Sequence, residues 1–176
     1  MRAVSRRTVL ALGLVAAAGL AVPVREAEAA EITVGDLRLE VPPDVVPADP
    51  TDPFGRNWQW RGRTDDSQLS PRGIVLARAD LHTFEPVEVL GLLLAGTASG
   101  LLPQLQLSGR RSRVVDGSEQ TRIGLSYATE RGRRYAGELL IATRTDAPSG
   151  LVVVLGDASL PTSFVSGVLG SVRWRR

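Results

Sequence analysis

Between residues 119 and 155 the chain runs through three short segments that are apolar at every second position or throughout, each closed by turn residues. Such a pattern allows few folds. Residues 119–129 put Ile123, Leu125 and Tyr127 on one side, and residues 134–143 do the same with Tyr135, Leu139 and Ile141. A period of two is that of a strand with one buried face. Residues 151–155, LVVVL, are apolar without a break, which suits a central strand covered on both sides. Arg131-Gly132-Arg133 and 146–150, DAPSG, supply the turns, and Asp116-Gly117 supplies another before residue 119. The phase of the apolar residues also tests the pairing of the first two strands. A three-residue loop over 131–133, with Gly132 left-handed, pairs Ile123 with Ile141 and Leu125 with Leu139. A two-residue loop sets Leu125 against Glu138 and mixes the faces.

The remainder reads around this sheet. Residues 31–41, EITVGDLRLEV, alternate about Gly35-Asp36, as a strand or tight hairpin does. Residues 42–54 hold Pro42, Pro43, Pro47, Pro50 and Pro53 and read as a loop. Residues 57–63 form a short strand with Trp58 and Trp60 on one face, and residues 73–81 form another strand. Pro86 suits the first position of a helix over 86–99, which is apolar nearly all round. A last helix opens at Leu160-Pro161, with Phe164, Val168 and Leu169 as its docking stripe and Trp174 as an anchor beyond it. The expected fold is α+β: an antiparallel sheet flanked by a mid-chain helix and a C-terminal helix.

The N-terminus carries an address. A basic head over 1–7, a 17-residue apolar stretch over 8–24 and the small-residue exit Ala27-Glu28-Ala29 make a secretory signal, with cleavage expected after Ala29. Arg6 and Arg7 before Thr8-Val9-Leu10 resemble the twin-arginine export motif, with Val9 where Phe is usual. An ordinary secretory signal and an uncleaved anchor are the competing readings, the stretch being at the short limit for a bilayer. No later segment is apolar enough to span a membrane. Residues 30–176 then form one domain, and cleavage leaves 17 Arg against 17 acidic residues. All 21 basic residues of the chain are Arg. A neutral domain argues against nucleic-acid binding by net charge.

With no Cys and only His82, the chain lacks the residues on which zinc, copper, haem and iron–sulfur sites depend, and no cofactor is expected. A triad could use only His82 as its base, with Asp80 nearby, and Gly124-Leu125-Ser126-Tyr127-Ala128 is not a nucleophile elbow. Asp65-Asp66 is a carboxylate pair for glycoside chemistry, or simply a solvated loop. Two arginine clusters stand out: Arg110, Arg111 and Arg113, and Arg131, Arg133 and Arg134. Their forked guanidinium groups suit carboxylate or phosphate, and antiparallel neighbours could bring both clusters to one end of the sheet. The alternative is that they are solvated strand ends paired with acids. Trp58 and Trp60 are a candidate groove, or core.

The stretch ITVGDLRLEVPPDV, the mid-chain helix, the three long strands and the terminal LPTSFVSGVLGSVRW together resemble the Mog1/PsbP-like fold, in particular secreted actinobacterial domains of the LpqN type. The resemblance covers the chain beyond the signal. It implies a small binding or assembly-assisting protein with no shared catalytic site. The expected partner is an envelope or extracellular protein, or an anionic cell-wall component, with no nucleic acid. A small cofactor-independent hydrolase and a carrier of an apolar ligand are the alternatives.

Overall fold

The computed structural model describes residues 28–48, 58–64, 71–81, 104–129, 132–145 and 148–175, together with Val87, Glu88, Gly91 and Ala95. Ten strands run in chain order: β1 (Ala30–Val34), β2 (Leu37–Val41), β3 (Val45–Pro47), β4 (Trp60–Thr64), β5 (Gly73–Leu81), β6 (Gln106–Val115), β7 (Ser118–Ala128), β8 (Arg134–Thr143), β9 (Ser149–Gly156) and β10 (Arg173–Trp174). One helix, α1 (Thr162–Ser171), lies between β9 and β10. Seven strands form one sheet in the order β3-β4-β5-β9-β8-β7-β6, and β1-β2-β10 form a second sheet of three. Every pairing is antiparallel.

The unbroken apolar run of β9 is explained by its place between β5 and β8. Val152 and Val154 face one core and Leu151, Val153 and Leu155 the other. The first core is closed by the small sheet and α1, through Leu37, Leu39, Phe164, Val168 and Leu169 among others. The stripe expected on the terminal helix is thus the one it buries. Trp174 anchors the chain end: it is 9 % exposed, and its indole N–H donates to Ser118 Oγ at 2.9 Å. The second core gathers Ile123, Leu125, Tyr127, Tyr135, Leu139 and Ile141 with the odd residues of β9. The faces read from the alternation are therefore those observed.

Three expectations are corrected. The β7–β8 register is Ile123 with Leu139, Leu125 with Gly137 and Tyr127 with Tyr135. The connection is closed by Thr129 N–H to Arg133 O and Gly132 N–H to Thr129 O, both 2.8 Å, with Gly132 at φ +78°. The loop has the expected three residues but sits one residue earlier, over 130–132. Moving it by one shifts the pairing by two, which preserves every face. One contact favours this register. Tyr127 and Tyr135 stack with ring centroids 5.3 Å apart, a pairing worth ~0.5–1.5 kcal/mol beyond area burial. Gly137 passes so close to β9 that a Cβ would lie 1.9 Å from Val154 O, so no larger residue fits there.

Second, the proline-rich stretch is not all loop. Val45–Pro47 is an edge strand on β4, where Pro is tolerated because the outer side needs no donor. Third, Trp58 and Trp60 do not share a face: Trp58 packs against the second core and Trp60 against the first. Trp60 lies over Gly62, where a Cβ would meet its ring at 2.4 Å. β6 starts at Gln106, so Arg110 and Arg111 lie within it. The mid-chain helix expected over 86–99 lies mostly outside the described residues; Val87, Glu88, Gly91 and Ala95 are helical and exposed.

Candidate arginine-lined binding site

β6 and β7 form a hairpin about Asp116 (φ +51°) and Gly117 (φ +76°), the two left-handed residues that a two-residue turn of this hand needs. β6 is the outer strand of the large sheet and is exposed from Ser108 to Val114. A bulge at Gly109 (φ +53°) shifts its register between Ser108 and Arg110. Beyond the bulge Arg111 lies opposite Arg122 and Arg113 opposite Gln120, while Arg110 lies opposite Ile123. The expected trio is therefore divided. Arg111 and Arg113 share the α1 face with Gln120, Arg122 and Glu138, and Arg110 takes the other face.

On that face two guanidinium groups meet one carboxylate, and a third meets a neutral amide. Arg111 donates to Glu138, and Arg122 Nη1 stands 3.6 Å from the other Glu138 oxygen. Arg113 donates to Gln120 Oε1 at 3.2 Å, and Gln120 donates in turn to Val172 O at 3.2 Å. Arg122 is the anchor, its side chain only 11 % exposed, with Nη2 donating to Leu169 O at 2.8 Å near the end of α1. A cation suits that end, where the last carbonyls carry partial negative charge. Burial lowers the Arg122 pKa from its ordinary value, and so does repulsion from Arg113 and Arg111; Glu138 acts the other way. Arg122 Nε is buried with no hydrogen-bond partner among the described residues. Above these groups lies an open depression of about 310 Å³ lined by Arg111, Arg113, Gln120 and Arg122.

The second arginine cluster is at the other end. Along β7, Gln120 (opposite Arg113) and Ala128 (opposite Arg134) are eight residues apart, about 27 Å at ~3.4 Å per residue. The clusters do not come together as expected, because the β6–β7 and β7–β8 turns cap opposite ends of β7. Arg133 donates to Asp157, whose Oδ1 accepts the Ser159 N–H at 2.9 Å and the Ser159 hydroxyl. Arg72 Nε reaches Ser159 Oγ at 3.0 Å, and Arg133 also lies over the Tyr135 ring at 5.6 Å. Partial burial works to raise the Asp157 carboxyl pKa, but the bonds from Arg133 and Ser159 outweigh it and hold it down at about 2. Arg134 is exposed. Beneath, burial and then Tyr135 push the Tyr127 phenol up to about 12; Tyr135 donates to Pro71 O at 2.7 Å. This end is a structural latch between the β7–β8 turn and the start of α1.

Arg131, His82, Asp65, Asp66, Arg6 and Arg7 lie outside the described residues. Ala29 is exposed and directly precedes β1. Among the described residues no three His, Cys, Asp or Glu side chains are grouped to hold a metal, and no helix is long and apolar enough to cross a membrane. Sequence reasoning missed Arg122, Gln120 and Glu138. The available signal was positional: Arg122 and Gln120 occupy the phase of β7 opposite Ile123, Leu125 and Tyr127, and α1 covers that face too, so polar residues there need partners.

No family model matches the chain, and no curated protein matches it in sequence. Solved structures do match its shape. The Ran-binding protein Mog1p of Saccharomyces cerevisiae superposes with a TM-score of 0.54 at 8% identity, over 84% of this chain and 95% of that one. The cyanobacterial PsbP (CyanoP) of Synechocystis superposes with a TM-score of 0.59 at 13% identity, over 93% and 98%. The fold is Mog1/PsbP-like: mostly antiparallel sheet with a C-terminal helix packed on it.

Proposed function

We propose that this chain is a secreted, non-catalytic binding domain of the LpqN type, exported on a twin-arginine signal through Arg6 and Arg7 and released after Ala29. It acts at the cell envelope or outside the cell by holding an acidic partner protein against Arg111, Arg113 and Arg122. One observation carries the reading: of three guanidinium groups on one face, Arg111 and Arg122 share a single carboxylate, Glu138, and Arg113 bonds only the neutral amide of Gln120 among the described residues. Arg recognises carboxylates bidentately, so the unmatched positive charge is a ready acceptor for acidic side chains. The shape likeness to a Ran-binding protein supports a role in protein binding. The position of Ala29 immediately before β1 supports a domain that begins at Ala30.

The test is calorimetric titration of the purified protein with poly-glutamate, used as a generic acidic chain. The wild type binds, with affinity falling as salt rises. The double variant R111E/R113E removes two charge-assisted contacts of about 1.5 kcal/mol each, so binding falls about 100-fold. Equal binding by both proteins, or none by the wild type, overturns the site.

A further inference from the structure

The outer edge of β6 gives the site a binding mode. Val115 and Ser118 flank the two-residue turn at Asp116-Gly117 and pair directly. The residues that close such a turn exchange both their backbone hydrogen bonds. The phase then alternates: Arg113 and Arg111 spend their N–H and C=O groups on β7, while Val114, Ser112 and Arg110 turn theirs away from the sheet. Those residues are exposed, Val114 to 74 %. The Gly109 bulge ends this straight edge on one side and the turn ends it on the other, leaving 110–115 as one regular segment. An edge of unpaired backbone groups is a template for another strand. A second copy of this chain is a poor occupant, because it would set Arg110, Arg111 and Arg113 against their own kind.

We propose that the β6 edge receives an extended segment of an acidic partner protein as an eighth strand, with carboxylates two residues apart over Arg111 and Arg113. The spacing follows from the pleat: Arg111 and Arg113 project from one face two residues apart, so residues i and i+2 of an added strand meet them. The residue between those acids lies on the other face, beside Val114 and Ser112, and is apolar or β-branched. The Arg122 guanidinium behind the edge adds positive potential to the seat. This proposal rests on the acidic-partner reading above and adds the backbone pairing.

The probe is a fluorescein-labelled ten-residue peptide alternating Glu and Thr, followed by anisotropy with the full protein. Two companions carry N-methyl groups on every second residue, one in each phase, which removes backbone donors and leaves all charge. On the protein side, Val114→Pro removes a donor that the β6–β7 ladder does not use. The expected result is at least tenfold weaker binding for one N-methylated phase and for V114P, with the V114P melting temperature close to wild type. If V114P fails to fold, the peptide series decides alone. Binding that needs Arg111 and Arg113 but is unchanged in both N-methylated phases overturns strand addition and leaves the acidic-partner reading standing. No peptide binding while poly-glutamate still binds has the same meaning. No binding to either probe overturns both.

Discussion

At the β7–β8 turn, Arg133 finds Asp157, Asp157 finds Ser159, and Arg72 reaches the same serine. At the β6 edge, among the described residues, Arg111 and Arg122 converge on Glu138 alone, and Arg113 has only the amide of Gln120. The two regions are similar in composition, and in the sequence they are indistinguishable. What separates them is the supply of acids from other strands. Asp157 comes from the end of β9, within reach of the turn, and closes the latch. No second carboxylate among the described residues reaches the β6 face. An arginine cluster therefore says little until its partners are placed: the first is part of the scaffold, and the second is a surface with charge left over.

The difference can be broken in graded ways. The largest effect expected is the 100-fold loss of poly-glutamate binding in R111E/R113E, with the melting temperature held; a matching loss of stability would make the β6 cluster structural too. Next is Asp157→Ala, which strips Arg133 and Ser159 of their acceptor and is expected to cost about 2 kcal/mol in chemical denaturation while binding stays unchanged. Arg122→Met should fall between the two behaviours. It leaves the Leu169 carbonyl without its donor, costing about 1–2 kcal/mol, and weakens binding severalfold by removing charge behind the edge.

A smaller effect separates the regions by pH. The Asp157 carboxyl titrates at about 2 in the folded protein, below the ~4 of an unfolded carboxylate. A depressed carboxyl contributes stability that is complete above the unfolded value and is lost as pH falls through it toward 2. The wild type should therefore lose stability between about pH 4 and pH 2, and Asp157→Asn should flatten that part of the profile. An unchanged slope in the variant would show that the latch does not carry it. The smallest effect is at Arg134, exposed on the latch end: Arg134→Ala should stay within about 0.5 kcal/mol in stability and leave binding intact.

Much of the scaffold was legible because its signals are local. Period-two alternation assigned the faces of β7 and β8, the unbroken LVVVL run placed β9 at the centre, and Phe164, Val168 and Leu169 marked the buried stripe of α1. The candidate site was legible only in part. Arg111 and Arg113 were visible as a charged run, but Arg110 was grouped with them because the run was read without the period-two alternation that puts residues 110 and 111 on opposite faces. Trp58 and Trp60, two apart, read as one face, yet the described strand starts only at Trp60, so the alternation does not reach Trp58.

The sequence by itself determined the strand phases, the hairpin turns and the helix stripe, since each depends on residues within a few positions of one another. Tertiary structure alone decided the β7–β8 register, in which Tyr127 stacks on Tyr135. It also decided which arginines are neutralised. A guanidinium and its carboxylate lie 24 residues apart in the latch and 27 at the β6 edge. No local pattern encodes a pairing over that separation, because charge complementarity depends on distance in space and the chain sets that only when the sheet closes.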